Sequence, residues 1–169
     1  MQNKHTAAYW KEKLQLTPHV EGGAFKEIYR SLLSIPKQAL TAEHTGDRAA
    51  STAIYFLLEQ DEFSAFHRIA SDELWHFYDG DNLCIYEIRE NGELIQHLLG
   101  LDIEKGEQPT ILINAGSWFA SRVEIPGGYC LCGCTVAPGF DFADFELADR
   151  KILQAQYPQH SGIIALLTR

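Results

Sequence analysis

Basic residues are scarce in this chain: 14 Lys and Arg stand against 23 Asp and Glu over 169 residues, a formal net charge of −9. A nucleic-acid surface needs clustered Lys and Arg to neutralise phosphates, so the composition argues against that class of partner. Long apolar runs are missing too. The longest, such as Gly162–Leu167, fall far short of the ~20 residues that cross a bilayer. The polar opening Met1–Gln2–Asn3–Lys4–His5 is not followed by the apolar core of an export signal. The expectation is a cytoplasmic protein with no membrane contact. Cysteine is sparse, with four residues, and with only Cys84 outside the 130–134 cluster it lacks the second C-x2-4-C pair that a zinc site needs. Cys130, Cys132 and Cys134 alternate with Leu131 and Gly133, which on a strand sets all three on one face as small core residues. Without an export signal, no disulfide framework is expected. Internal repeats and low-complexity linkers are absent as well.

What is present is a chain of ordinary globular composition, 46% hydrophobic and 22% charged, at a length suited to one domain. Helical spacing appears only at the ends. Ala7–Leu16 reads as a helix with Thr6 as its cap and Pro18 beyond its end, and 149–169 reads as a helical tail interrupted by Pro158. Between them the period changes to two. Ala24–Ser31, Ser51–Leu58, Phe63–Ile69, Glu73–Asp79, Leu83–Arg89, Glu93–Leu101, Thr110–Asn114, Trp118–Ile125 and Gly128–Val136 read as strands. Turn signals separate them, among them Asn91–Gly92, which predicts a type I′ hairpin. Many short strands at even spacing indicate an all-β antiparallel sandwich or barrel. The expected organisation is a single domain over 1–169, with an N-terminal helix in 1–17, a barrel in 18–148 and the helical tail. Ser31–Asp47 has no clear period and reads as a surface loop or lid.

The richest cluster of chemistry lies in Phe66–Gly80, FHRIASDELWHFYDG. A turn at Ala70–Asp72 would join two neighbouring strands and bring His67 beside Glu73. A carboxylate next to an imidazole fixes its tautomer and raises its basicity, which is the unit of general acid–base work. Alternation sets Glu73, Trp75 and Phe77 on one face and Leu74, His76 and Tyr78 on the other. The Glu73 face is expected to look inward with His67; the alternative is a hydrogen-bonded pair that only closes the barrel. In Gly139–Glu146, Asp141 or Asp144 would place a carboxylate at the barrel mouth, or the Phe residues between them would fold back and plug that end. On Ala24–Ser31, alternation pairs Glu27 with Tyr29 and Lys26 with Arg30. A buried Arg30 would suit an anionic ligand. Glu21–Gly22–Gly23 reads as a sharp turn. Trp75 and Trp118 are candidates to stack on a ring, or are core.

His67, Glu73 and Gly80 fall on the first cupin motif, G-x5-H-x-H-x3-E-x6-G, with Ile69 in place of its second His and Asp61 in place of its opening Gly. The second motif survives at Gly116, with Phe119 where a metal-binding His is expected. PHVEGGAFKEIYRS, STAIYFLL, SDELWHFYDGD, GSWFASR and CTVAPGFDFADFELA resemble, in order, a small cupin subgroup of unassigned function whose opening reads His-Pro-Glu-Gly-Gly. That resemblance implies a jelly-roll barrel similar to sugar-nucleotide epimerases of the dTDP-dehydrorhamnose type, and a homodimer. Metal-binding cupins use three His and one Glu; here one His and the Glu remain, so neither metal nor other cofactor is expected. The resulting expectation is a metal-independent protein acting on a small polar metabolite, such as a sugar or sugar nucleotide, by isomerisation or epimerisation. The alternative is a non-catalytic small-molecule binding protein. His67, Glu73 and Asp141 are the expected catalytic groups. Arg30, Glu27, Tyr29, Trp75, His76, Trp118 and Phe119 are the expected substrate contacts.

Overall fold

The computed structural model describes residues 5–169; the polar residues Met1–Lys4 lie outside the described part. The chain runs α1 (Ala7–Leu14), β1 (Thr17–Pro18), β2 (Ala24–Arg30), β3 (Ser34–Ile35), β4 (Arg48–Ala49), β5 (Thr52–Glu59) and β6 (Ser64–Arg68). It continues through β7 (Asp72–Gly80), β8 (Leu83–Ile88), β9 (Leu94–Leu99), β10 (Thr110–Ile113), β11 (Trp118–Val123), β12 (Tyr129–Ala137), β13 (Glu146–Leu147), α2 (Arg150–Gln156) and α3 (Ser161–Leu166). The period-two segments of the sequence all appear as strands, with ends shifted by one or two residues.

Two antiparallel sheets face each other, one in the order β1-β2-β5-β12-β7-β10 and the other β13-β6-β11-β8-β9. This is an antiparallel two-sheet barrel, as the strand pattern predicts, in the jelly-roll arrangement that the resemblance implies. Alternation along each strand sends one side chain set between the sheets and the other outward. Cys130, Cys132, Cys134 and Val136 of β12 all point inward, where they pack with Phe56, Trp75, Ile85 and Phe119. The small thiols let this central strand lie close under the opposing sheet. All four cysteines are free and buried.

The outer faces are covered unequally. On the five-stranded sheet, Phe66, Ile88, Trp118 and Ala120 are covered by Leu153, Tyr157, Ile164 and Leu167 of the C-terminal helices. On the six-stranded sheet, α1 covers one end, with Trp10 and Leu14 over Leu57, Tyr129 and Leu131. Its first turn is capped as expected: the Tyr9 amide donates to Thr6 Oγ1 at 3.2 Å.

Three local expectations need correction. The β8–β9 connection is not type I′, because Gly92 takes a positive φ of 80° while Asn91 does not; Asn91 Oδ1 instead accepts the Glu93 amide at 3.0 Å. A three-residue loop closing on a left-handed Gly matches the strand twist equally well. Second, β6 and β7 belong to opposite sheets, so Ile69–Ser71 is a crossing between sheets and not a hairpin turn. Third, Ser31–Asp47 is tied down: β3 pairs with β4, and Arg48 donates to both oxygens of Asp144 at 2.6 Å.

Gly22 and Gly23 carry the chain from β1 into β2 at φ of 117° and 71°. A Cβ on Gly22 would lie 2.1 Å from the Phe63 carbonyl oxygen. Substituting Gly22→Ala therefore combines strain with a backbone clash, and a loss of about 2–3 kcal/mol is expected in chemical denaturation. A loss under about 0.5 kcal/mol, the ordinary scatter of surface changes, would contradict this reading.

Candidate functional site

Between the two sheets lies a cavity of about 230 Å³, below the ~300–1,000 Å³ of drug-sized pockets. Its walls are apolar: Phe25, Ile54, Phe56, Ile69 and Val136 from the strands, and Phe140, Phe142 and Phe145 from the segment after β12. That segment folds back through the 3₁₀ turn Phe142–Asp144 and joins the opposite, five-stranded sheet as β13, pairing with Arg68 and His67. Both readings of the sequence hold there. The Phe rings close the end of the barrel, and Asp141 stands among the cavity-lining residues. Asp144 turns away into its ion pair with Arg48.

The polar groups of the cavity come from three places. His67 is 3% exposed and enters from β6, Glu73 is 8% exposed and enters from β7, and Glu21 is 5% exposed and enters from the turn before β2. His67 does not meet Glu73. Its Nε2 lies 3.0 Å from Glu21 Oε2, and its Nδ1 lies 2.7 Å from the Ala65 carbonyl oxygen. A carbonyl only accepts, so Nδ1 carries a proton and Nε2 faces the Glu21 carboxyl. Ser64 donates to the other Glu21 oxygen at 2.8 Å. His19 Nδ1 lies 3.6 Å from Glu21 Oε2, and its ring stands edge-on to Phe25. Phe119 packs against the His67 ring at 4.1 Å, and Phe145 stacks on it at 5.4 Å.

Burial decides the charge state. Desolvation pushes the Glu21 carboxyl up to about 7, against the opposing pull of His19, Ser64 and Arg169. Desolvation and the nearby Glu21 push Glu73 up to about 8, and a hydrogen bond with the Cys134 thiol only partly offsets this. Burial pushes His67 down to about 4 and holds His19 low as well. Below about pH 7 the Glu21–His67 contact is therefore a hydrogen bond from a neutral carboxyl to a neutral imidazole, and not an ion pair.

At the mouth, Glu27 and Arg30 lie on the same face, contrary to strict alternation. β2 pairs Glu27 with Ile54 and Tyr29 with Ala53, which leaves Ile28 as an extra, bulged residue. The bulge reverses the parity. Arg30 comes round to join Glu27, while Tyr29 turns out to solvent at 52% exposure. Arg30 Nε and Nη2 donate to Glu27 at 3.0 and 2.7 Å, and Nη1 donates to the Phe140 carbonyl at 3.2 Å.

Four other expected contacts lie elsewhere. Trp75 is core, edge-on to Phe56, and does not line the cavity. His76 is on the outer face, where Nε2 meets Thr135 Oγ1 at 3.2 Å. Trp118 faces the C-terminal helices with the Arg68 guanidinium over its ring at 4.6 Å. Phe119 backs His67 from within the core. Sequence reasoning missed His19, to which it gave no role, and Glu21, which it took for part of a turn; the signal was the PHVEGG run itself. The cavity does not fit a metal ion. Ile69 and Phe119 offer no donor, both His67 nitrogens are engaged, and no three His, Cys, Asp or Glu side chains among the described residues converge as ligands.

Residues 8–148 match the family described as Cupin superfamily (DUF985). The chain belongs to this cupin family. A solved protein from Shewanella oneidensis is 41% identical, with a TM-score of 0.87 over 100% of this chain and 99% of that one. A hypothetical protein from Leishmania major is 33% identical, with a TM-score of 0.89 over 97% of this chain and 99% of that one. An uncharacterized protein of Saccharomyces cerevisiae is 29% identical across 90% of this chain and 81% of its own length. None of these names carries a reaction. No helix among the described residues of this cupin is long and apolar enough to cross a membrane.

Glu73 gives a direct electrostatic test. Its folded value, about 8, lies above its ordinary 4.5, so the folded chain holds this proton more tightly. The associated stability is fully present below about pH 4.5 and is lost as pH rises through about 8. Glu73→Gln keeps the shape and cannot ionise. Relative to the parent, it is expected to gain several degrees in melting temperature on going from about pH 5.5 to pH 9. An offset that does not change with pH would contradict the buried, neutral Glu73.

Proposed function

We propose that this cupin is a metal-independent acid–base catalyst that isomerises or epimerises a small, sugar-sized carbonyl compound. The observation that carries the reading is the pair of buried carboxyls lining one cavity, Glu21 with its imidazole and Glu73 within electrostatic reach of it. A catalytic base works best with a pKa near the operating pH, and Glu21 at about 7 meets that condition. A carboxylic acid kept neutral by an apolar site donates a hydrogen bond where negative charge develops, and Glu73 at about 8 is such a group.

In the reaction the unprotonated Glu21–His67 pair removes the proton from the carbon next to the carbonyl. The C–H electron pair becomes the C=C bond of an enol, and the carbonyl oxygen takes the Glu73 proton. The reverse transfers return a proton to carbon, to the other face or to the neighbouring carbon, and restore Glu73. Atoms and charge balance without an added reactant. His67 thus keeps the base role expected from the sequence, with Glu21 and not Glu73 as its partner.

Incubation with unphosphorylated aldoses, ketoses and lactones in D₂O, followed by proton NMR, tests the reading. The parent protein is expected to exchange the proton beside the carbonyl of at least one compound. His67→Asn and Glu73→Gln, checked for folding by circular dichroism, are each expected to slow the exchange by about 10²-fold or more. Binding without exchange, or exchange indifferent to both substitutions, would overturn it.

We also propose a second copy of this chain as the partner of the uncovered face on the six-stranded sheet. Register sets Tyr29, Ala53, Thr135, Leu74 and Leu112 in one row across five strands, with no carboxylate among them in a chain of 23 acids. Tyr29, Leu74, Tyr78 and Leu112 are exposed there. Interface centres are depleted of charge in this way, and a two-fold contact of like faces brings no like charges together. Light scattering is expected to give twice the 19.1 kDa chain mass, and a Leu74→Lys, Leu112→Lys variant the single mass. A parent protein of single mass at micromolar concentration would contradict this.

A further inference from the structure

The cavity mouth carries a charge arrangement that bears on the class of ligand. Arg30 is the one cation among the cavity-lining residues, and its charge is already spent on the two-pronged contact with Glu27. Its remaining Nη1 is held by the Phe140 carbonyl. Asp141 stands close enough to act on Arg30 electrostatically, and it caps the 3₁₀ turn by accepting the Ala143 amide at 2.9 Å. The mouth therefore sets two carboxylates against one guanidinium. Further in, the ionisable groups are Glu21 and Glu73, which are neutral or negative, and two imidazoles that burial keeps uncharged. Among the described residues, no unpaired cation lines the cavity to receive an anion.

A phosphate entering here would lose water and gain no free cation in exchange. It would also meet net negative charge in a confined, low-dielectric space, where repulsion between charges is far stronger than in bulk water. A hydroxyl-bearing ligand meets the opposite situation, since Glu27 and Asp141 accept hydrogen bonds from O–H groups. The enclosed volume of about 230 Å³ agrees, because it holds a monosaccharide-sized group and leaves no enclosed room for an attached nucleotide.

We propose that the Glu27–Arg30–Asp141 mouth admits uncharged ligands and turns away phosphate-bearing ones, so that the substrate is a free, unphosphorylated carbonyl compound. This deepens the acid–base reading and rests on the same cavity. It reverses the expectation that Arg30 anchors an anion, and it makes Glu27 the residue that sets charge specificity.

Cys134 supplies a probe that needs no knowledge of the substrate. Its thiol lines the cavity, while Cys84, Cys130 and Cys132 do not. Methyl methanethiosulfonate is neutral and its sulfonatoethyl analogue is an anion of the same reactivity type. Each rate at Cys134, read by peptide mass spectrometry, is divided by the rate with a free thiol in solution. The neutral reagent is expected to be favoured at least about tenfold, a factor equal to about 1.4 kcal/mol. Glu27→Gln releases Arg30 and is expected to shrink that preference about tenfold. Equal normalised rates in the parent protein, or a preference unchanged by Glu27→Gln, would overturn the charge gate. A charge-blind mouth would leave proton exchange from a sugar intact. Loss of that exchange alone would overturn the acid–base reading and leave the labelling ratio standing.

Discussion

Glu21 and Glu73 face an apolar cavity where, among the described residues, only uncharged imidazoles lie within ion-pairing distance of Glu21 and no cation pairs with Glu73, and the properties of the site follow from the difficulty of ionising them there. A buried carboxylate without a cation is strongly disfavoured, so each group keeps its proton into the neutral range. Glu87 makes the contrast. It too is closed to solvent but lies less deeply within the protein, and hydrogen bonds from His97 and Ser117 and the charge of Arg89 outweigh the upward push of burial and hold it low. The same residue type on the same scaffold is thus a carboxylate where burial is shallower and a guanidinium lies beside it, and a neutral acid deep in the apolar cavity.

The apolar walls come from the fold. Inward alternation supplies Phe25, Ile54, Phe56 and Val136, and the returning Phe140–Phe145 segment closes the end. Arg48 and Asp144 pin that segment to the short β3–β4 pair, so the closure is braced from outside the cavity. The Ile28 bulge then adds the charged rim by bringing Arg30 round to Glu27. Each device is local, and each acts on the same enclosed space.

The barrel was legible in the sequence because period two is a property of single strands. The inward row Cys130–Cys132–Cys134 and the outward His76 follow from alternation alone. His67 and Glu73 were legible as inward-facing groups for the same reason, but their partners were not. Which carboxyl meets His67 depends on β6 and β7 lying in opposite sheets, a topological fact that neighbouring positions in the chain conceal. Glu21 sits in a turn where no periodicity operates, and its direction is set by two left-handed glycines. Arg30 and Tyr29 were assigned to the wrong faces because one bulged residue inverts the parity of everything after it. Trp75 and Trp118 alternated as expected, and both faced packed layers and not the cavity.

The measurement that bears most directly on this account is a pH titration of the side-chain carboxyl carbons by ¹³C NMR on glutamate-labelled protein, with Glu21→Gln and Glu73→Gln used to assign the resonances. The account predicts two carboxyls with midpoints near 7 and 8, the upper one falling when Glu21 is replaced by Gln. All glutamates titrating in the ordinary range near about 4.3 would contradict it.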